Sequence, residues 1–164
     1  MRDVPVRLPW AAAAFAELCT RCVDCALACK ERIVVAGDGG FPEVDFKRGE
    51  CTFCGDCVKA CKTGALSRTV EPPWLFKAQV NDRCLSVKGI TCRSCADVCD
   101  TRAIRFQLQV GGGAVLSIDS ENCTGCGACV SVCPVQAVTV SNEKIAESAS
   151  QSSSVGTDRQ EGYV

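Results

Sequence analysis

The stretch CTRCVDCALAC, Cys19 to Cys29, places four cysteines at intervals of two, two and three intervening residues. The same pattern recurs in CTFCGDCVKAC, from Cys51 to Cys61, and in CTGCGACVSVC, from Cys123 to Cys133. Between them lies a stretched version, CLSVKGITCRSCADVC, from Cys84 to Cys99, whose first interval is seven residues. The four runs use all 16 cysteines of the 164-residue chain, so a repeated thiol pattern decides the fold.

This spacing is typical of the bacterial ferredoxin run that holds [4Fe–4S] clusters. Three cysteines two residues apart wrap one face of a cluster, and Gly55, Gly125 and Gly127 let the loops turn their N–H groups toward sulfur. The fourth cysteine follows one helical turn later, a rise of ~6 Å. It therefore points away from its own loop, toward the other cluster of a pair.

This rule predicts four [4Fe–4S] clusters and assigns every ligand. The first cluster takes Cys19, Cys22, Cys25 and Cys61, and the second takes Cys51, Cys54, Cys57 and Cys29. The third takes Cys84, Cys92, Cys95 and Cys133, and the fourth takes Cys123, Cys126, Cys129 and Cys99. Cys84 is the least secure ligand, because its interval to the next cysteine is long. Cross-ligation means that each half folds only with both of its clusters in place.

Two other uses of the cysteines fit less well. Structural zinc sites combine pairs of C-x-x-C elements rather than a loop of three and a distant fourth. A disulfide framework is not expected in a reducing compartment. A cluster whose four irons each carry a cysteine thiolate leaves no iron open to substrate, and the chain has no His for acid–base chemistry, so we do not expect an enzyme.

The order of predicted elements indicates an α+β protein made of two tandem bacterial dicluster ferredoxin-like modules of βαββαβ type, with a small core dominated by the clusters. Short helices are predicted near the third cysteine of each run. Strands are predicted at 33–36, 43–46, 76–80, 104–110, 114–119 and 137–140.

The domain plan has five parts. Residues 1–18 form an N-terminal segment that could carry a docking helix or simply cap its own domain. The modules span 19–70 and 78–142, and a Pro/Trp linker at 71–77 joins them. Trp74 in this linker could anchor a partner or pack the two halves together. Residues 143–164 are predicted to be a disordered Ser-rich tail.

Charge and hydropathy exclude several classes of protein. The net charge is −1 and no basic run is present, so nucleic acid is not an expected partner. No apolar stretch approaches the ~20 residues of a membrane span. Pro5, Pro9 and Glu17 interrupt the Ala-rich opening, which argues against a signal peptide. The expectation is a soluble cytoplasmic protein.

Residues 8–141 resemble the NapF family, the ferredoxin-type accessory proteins of periplasmic nitrate reductase systems. The resemblance rests on LPWA at 8–11, GGFPEVDF at 39–46, PPW at 72–74 and the four cysteine runs, including the stretched third one. It implies a cytoplasmic protein with four [4Fe–4S] clusters. It also implies contact with the cytoplasmic precursor of the molybdenum-containing catalytic subunit, before export, to assist its maturation or its iron-sulfur or redox loading.

Two other functions remain open on the sequence. One is an electron-transfer polyferredoxin subunit of a redox complex, in which the clusters carry electrons. The other is a redox sensor or structural adaptor, in which the clusters mainly hold the fold.

Overall fold

The computed structural model describes residues 6–108 and 114–142 and combines short helices with short strands. The helices are α1 Phe15–Leu18, α2 Asp24–Leu27, α3 Asp56–Ala60, α4 Ser94–Asp97 and α5 Ala128–Ser131. The strands are β1 Val34–Ala36, β2 Pro42–Val44, β3 Phe76–Val80, β4 Ile104–Leu108, β5 Ala114–Ile118 and β6 Val138–Asn142. Residues 1–5, 109–113 and 143–164 lie outside the described residues, and they include the predicted tail and the end of the strand predicted at 104–110.

The second half has the element order β3–α4–β4–β5–α5–β6. Its first and last strands pair antiparallel, with Phe76 opposite Asn142 at one end of the ladder. The two middle strands form a second antiparallel pair, with Ile104 opposite Ile118. Each helix therefore lies between strands, with one cysteine run at its start.

The first half repeats this plan with a reduced outer pair. Strands β1 and β2 form its inner antiparallel pair. The outer pair is a single bridge between Ala11 and Leu66, flanked by hydrogen bonds from the Ala12 N–H to the Ala65 carbonyl and from the Ser67 N–H to the Trp10 carbonyl. Residues 10–12 thus stand where the first strand of a module belongs, upstream of the first cysteine run.

Three of the single-turn helices begin where the backbone changes direction. Val23, Gly55 and Gly127 precede α2, α3 and α5 in the left-handed conformation. The third cysteine of each run lies within its helix, and the fourth lies just beyond the helix end. This arrangement turns the fourth thiol away from the other three.

Two small hydrophobic cores lie beneath the cysteine loops. The first includes Leu8, Phe15, Ile33, Phe46 and Leu66, and the second includes Ala78, Ala103, Ile104 and Val138. Buried or half-buried cysteines belong to both. Trp10 and Phe15 are 5% and 6% exposed, so the N-terminal segment packs onto the first half.

Trp74 joins the two halves. Its ring makes edge contacts with Phe46 and Phe53 of the first half and with Phe76 of the second, with ring centroids 5.2–5.9 Å apart. Its indole N–H donates to the Thr124 carbonyl at 2.7 Å. The linker tryptophan therefore packs the halves together. Within residues 6–108 and 114–142, no helix is long and apolar enough to cross a membrane.

Candidate iron-sulfur sites

Four cavities in the structure are each lined by four cysteines. The first is lined by Cys19, Cys22, Cys25 and Cys61, and the second by Cys29, Cys51, Cys54 and Cys57. The third is lined by Cys84, Cys92, Cys95 and Cys133, and the fourth by Cys99, Cys123, Cys126 and Cys129. These are the four quartets that the spacing rule groups together.

Each cavity is an open space enclosed by cysteine side chains. The empty space between the lining residues, including the part open to solvent, runs from about 310 to about 430 Å³. Four thiols around one such space are the donor set of a [4Fe–4S] cluster.

Packing of the short helices produces the exchange of fourth cysteines. Helices α2 and α3 contact each other in the first half, as α4 and α5 do in the second. Cys29, which follows α2, consequently lines the cavity of the next run, and Cys61 lines the cavity of the run before it. The second half repeats the exchange with Cys99 and Cys133.

The stretched third run folds back on itself. The Ser86 hydroxyl donates to the Cys92 carbonyl at 2.6 Å, and Ser86 is 7% exposed. This hydrogen bond spans the long interval and leaves Cys84 buried in the third cavity with the other three thiols. The loop therefore compensates for the missing two-residue spacing.

Burial keeps several of these thiols protonated when nothing is bound to them. It raises the pKa of Cys25, Cys51 and Cys95 to about 11, and neighbouring cysteines contribute to the rise. Burial also raises the pKa of Cys57 and Cys129 to about 12. Because iron binds thiolate rather than thiol, loading these sites releases protons.

Two fourth cysteines are in hydrogen-bond contact with a threonine hydroxyl, which is the donor once the thiol has ionised. Thr63 Oγ1 lies 3.6 Å from the Cys61 sulfur, and Thr101 Oγ1 lies 3.6 Å from the Cys99 sulfur. Burial opposes ionisation at both cysteines, but these hydroxyls and nearby backbone N–H groups outweigh it and lower the pKa of each. Neither threonine follows from the cysteine spacing, although each occupies the second position after a fourth cysteine, where comparison of the internal repeats could have revealed them.

The backbone also supplies N–H donors to sulfur in the second half. The Ala78 N–H donates to the Cys123 sulfur at 3.4 Å, and the Ala137 N–H donates to the Cys133 sulfur at 3.2 Å. N–H groups directed at ligand sulfurs are a regular part of iron-sulfur sites and help to set the reduction potential. The donor set and its surroundings therefore fit [4Fe–4S] clusters.

Comparison with known proteins agrees with this geometry. The family model described as a 4Fe-4S dicluster domain matches residues 18–65 and 88–137. Ferredoxin-type protein NapF of Haemophilus influenzae is 48% identical over 143 residues, which cover 86% of this chain and 81% of the relative. Ferredoxin-type protein NapF of Escherichia coli strain K12 is 38% identical over 136 residues, covering 82% and 83%.

A more distant relative matches only part of the chain. The methylamine utilization ferredoxin-type protein MauM of Methylorubrum extorquens is 37% identical over 83 residues, which cover 43% of this chain and 37% of the relative.

Two dicluster domains and 16 cysteines fit four [4Fe–4S] clusters.

Proposed function

The chain belongs to the NapF family of ferredoxin-type proteins, and from this premise we propose that it acts in the cytoplasm on the precursor of the molybdenum-containing catalytic subunit of a periplasmic nitrate reductase. In this proposal it assists maturation of that subunit, or its iron-sulfur or redox loading, before export. The observation that carries the proposal is the match to NapF proteins over 86% and 82% of this chain, and the four cysteine-lined cavities supply the sites for the clusters. When bound, a [4Fe–4S] cluster supplies one-electron chemistry.

The proposal includes the ligand assignment. Each cluster is held by three cysteines of one run and the fourth cysteine of its partner run. The support is the grouping of thiols around the cavities, with the third cysteine of each run inside a single-turn helix and the fourth just beyond it. Each cluster then has four protein ligands, and ferredoxin-type proteins of this kind carry electrons rather than catalyse a reaction.

The deciding experiment is an anaerobic affinity capture from nitrate-respiring cells, with the intact chain as bait in the cytoplasmic fraction. Recovery of the molybdenum subunit with its signal peptide still attached is the expected result. A Cys61→Ser bait, which lacks one ligand of the first cluster, shows whether capture needs the loaded protein. Failure to recover the precursor with a bait that carries about sixteen irons would overturn the maturation role.

A second function is favoured by a different observation. The loop that presents Cys51 in the first module is hydrogen-bonded to the loop that presents Cys126 in the second, at 2.8 Å. Such contact between ligand-bearing loops suits an electron-transfer subunit of a redox complex. This alternative predicts that all four clusters cycle reversibly and that the bait recovers a dehydrogenase or a membrane quinol complex instead of the precursor.

A further inference from the structure

Trp10 carries a buried polar atom that the protein leaves unpaired. The residue is 5% exposed, and its indole nitrogen Nε1 has no hydrogen-bond partner among the residues that the structure describes. Buried N–H groups are nearly always hydrogen-bonded, because an unmatched donor loses its hydration without compensation. The buried indole N–H of Trp10 therefore needs an acceptor that the described residues do not supply.

The surroundings of Trp10 indicate where that acceptor lies. Trp10 lines the second cavity together with Cys29, Cys51, Cys54 and Cys57. Sulfur of a cluster with thiolate ligands carries negative charge and accepts hydrogen bonds. Trp10 therefore brings an N–H donor, unpaired among the described residues, to the wall of the second cavity. The cluster expected there offers several sulfur acceptors.

The position of the ring is fixed at some energetic expense. Trp10 has φ +62°, a left-handed conformation that is uncommon for a bulky residue. The Phe53 ring meets it edge-on with centroids 6.2 Å apart, and the Arg68 guanidinium lies 4.7 Å above its centre. Arg68 also donates to the Cys54 carbonyl at 2.7 Å, which ties the ring to the cysteine loop. Strained residues of this kind tend to occur at functional sites.

We propose that the indole N–H of Trp10 donates a hydrogen bond to a sulfur atom of the group held by Cys29, Cys51, Cys54 and Cys57. Trp10 is then a positioning residue that stabilises the reduced form of this one cluster, since a donor to sulfur offsets the added negative charge. The inference rests on the proposed ligand assignment, but not on any particular partner protein.

The other tryptophan is a matched control. The chain has two tryptophans, and the Trp74 indole N–H is already satisfied by the Thr124 carbonyl. Trp10→Phe removes the unpaired donor and keeps an aromatic ring, whereas Trp74→Phe removes a donor that is used within the protein. The two substitutions therefore separate a hydrogen bond to the cluster from general packing.

The test is an anaerobic redox titration of the full chain, followed by electron paramagnetic resonance, with iron content measured on the same samples. In Trp10→Phe we expect the reduced-to-oxidised ratio of one cluster, at fixed ambient potential, to fall about tenfold, which is about 59 mV for a one-electron couple. The coupling of an exchangeable deuteron to that cluster should also disappear. Trp74→Phe should keep the deuteron coupling to that cluster, even where the altered junction of the halves shifts a midpoint. Full iron content with four unaltered midpoints and an unaltered deuteron spectrum in Trp10→Phe would overturn the proposal.

A second measurement covers the case in which Trp10→Phe loses iron. In Trp74→Phe, Trp10 is the only tryptophan, so labelling with indole-¹⁵N places a single label at its Nε1. A ¹⁵N coupling to a reduced cluster is expected, and its absence in fully loaded protein contradicts the inference. Neither readout involves partner capture. The hydrogen bond from Trp10 can therefore be disproved while the proposed function stands, and the proposed function can be disproved while the hydrogen bond stands.

Discussion

The backbone N–H of Cys51 donates a hydrogen bond to the carbonyl oxygen of Cys126 at 2.8 Å. One residue lines the second cavity and the other lines the fourth, so these two sites are neighbours across the junction of the halves. The halves thus dock through their cysteine loops, with Trp74 beside the contact. A weakened junction should disturb these two sites before the first and third.

Gly127→Ala tests the junction directly. Gly127 has φ +85°, and a Cβ there would overlap the ring of Phe46, which is buried in the core of the other half. Gly64 has a similar φ of +74° but open space around it. We expect Gly64→Ala to cost about 1–2 kcal/mol for the left-handed backbone alone. Gly127→Ala should cost about 1–3 kcal/mol more, because the ring cannot move freely.

The measurement is the midpoint of urea-induced loss of cluster absorbance under anaerobic conditions. Gly64→Ala is the control for backbone strain. Equal midpoints for the two variants would show that Phe46 does not restrict the junction at this position.

Cys61→Ser tests the exchange of fourth cysteines. Cys61 ends the run that begins at Cys51 but lines the cavity of the run that begins at Cys19. We therefore expect the substitution to damage the first cluster directly, and the second only as far as the fold of that half loosens with it. Iron analysis combined with Mössbauer spectroscopy, with Cys29→Ser as the reciprocal variant, identifies the damaged site. Loss of the second cluster in Cys61→Ser and of the first in Cys29→Ser would reverse the assignment.

Thr63→Val and Thr101→Val test the hydroxyl contacts at the fourth cysteines. Each removes a donor that lies 3.6 Å from sulfur while keeping the shape of the side chain. One cluster in each variant, the first and the fourth respectively, should shift to a lower reduction potential. A shift on the order of 20–60 mV is expected from the net worth of one hydrogen bond.

Serine at these positions retains the hydroxyl and should restore the original potential in a redox titration. Val135, at the equivalent position after Cys133, offers the opposite change, since Val135→Thr adds a donor and should raise the potential of the third cluster. Threonine-to-valine variants with full iron content and unchanged midpoints would mean that the hydroxyls only shape the turn.

The cysteine spacing predicts much of this architecture, because ligands of a rigid cluster leave little freedom in the loop between them. The four helices near the third cysteines lie where the repeat predicts them, and β3 spans the predicted residues 76–80. The bridge between Ala11 and Leu66 was not predicted, since one isolated bridge leaves no alternating pattern in the sequence. Comparison with β3, which precedes the third run, could have indicated it.

Contacts between the halves were beyond prediction for a different reason. The sequence offered two roles for Trp74, and only the distances to Phe46, Phe53 and Phe76 decide for packing. The sequence also could not predict that the Trp10 indole nitrogen lacks a hydrogen-bond partner among the described residues. Whether a buried N–H finds an acceptor depends on residues that are distant in sequence. The spacing of the cysteines can thus be read from the sequence, whereas the other residues around each cavity cannot.

Ser86→Ala tests how the stretched run retains its cluster. The Ser86 hydroxyl donates to the Cys92 carbonyl at 2.6 Å and closes the long interval after Cys84 together with backbone hydrogen bonds such as that from the Lys88 N–H to the Cys84 carbonyl. Its removal leaves a carbonyl without that donor and should weaken the closed loop by about 1–2 kcal/mol. Because metal binding is coupled to folding of the site, the third cluster should then be lost several-fold faster than the others. Timed exposure to an iron chelator under anaerobic conditions measures this rate.

Ser67, whose hydroxyl contacts Thr69 on the exposed surface, provides the control, and Ser67→Ala should match the unmodified chain. If Ser86→Ala released iron no faster than Ser67→Ala, the loop would be held by the cluster ligands alone.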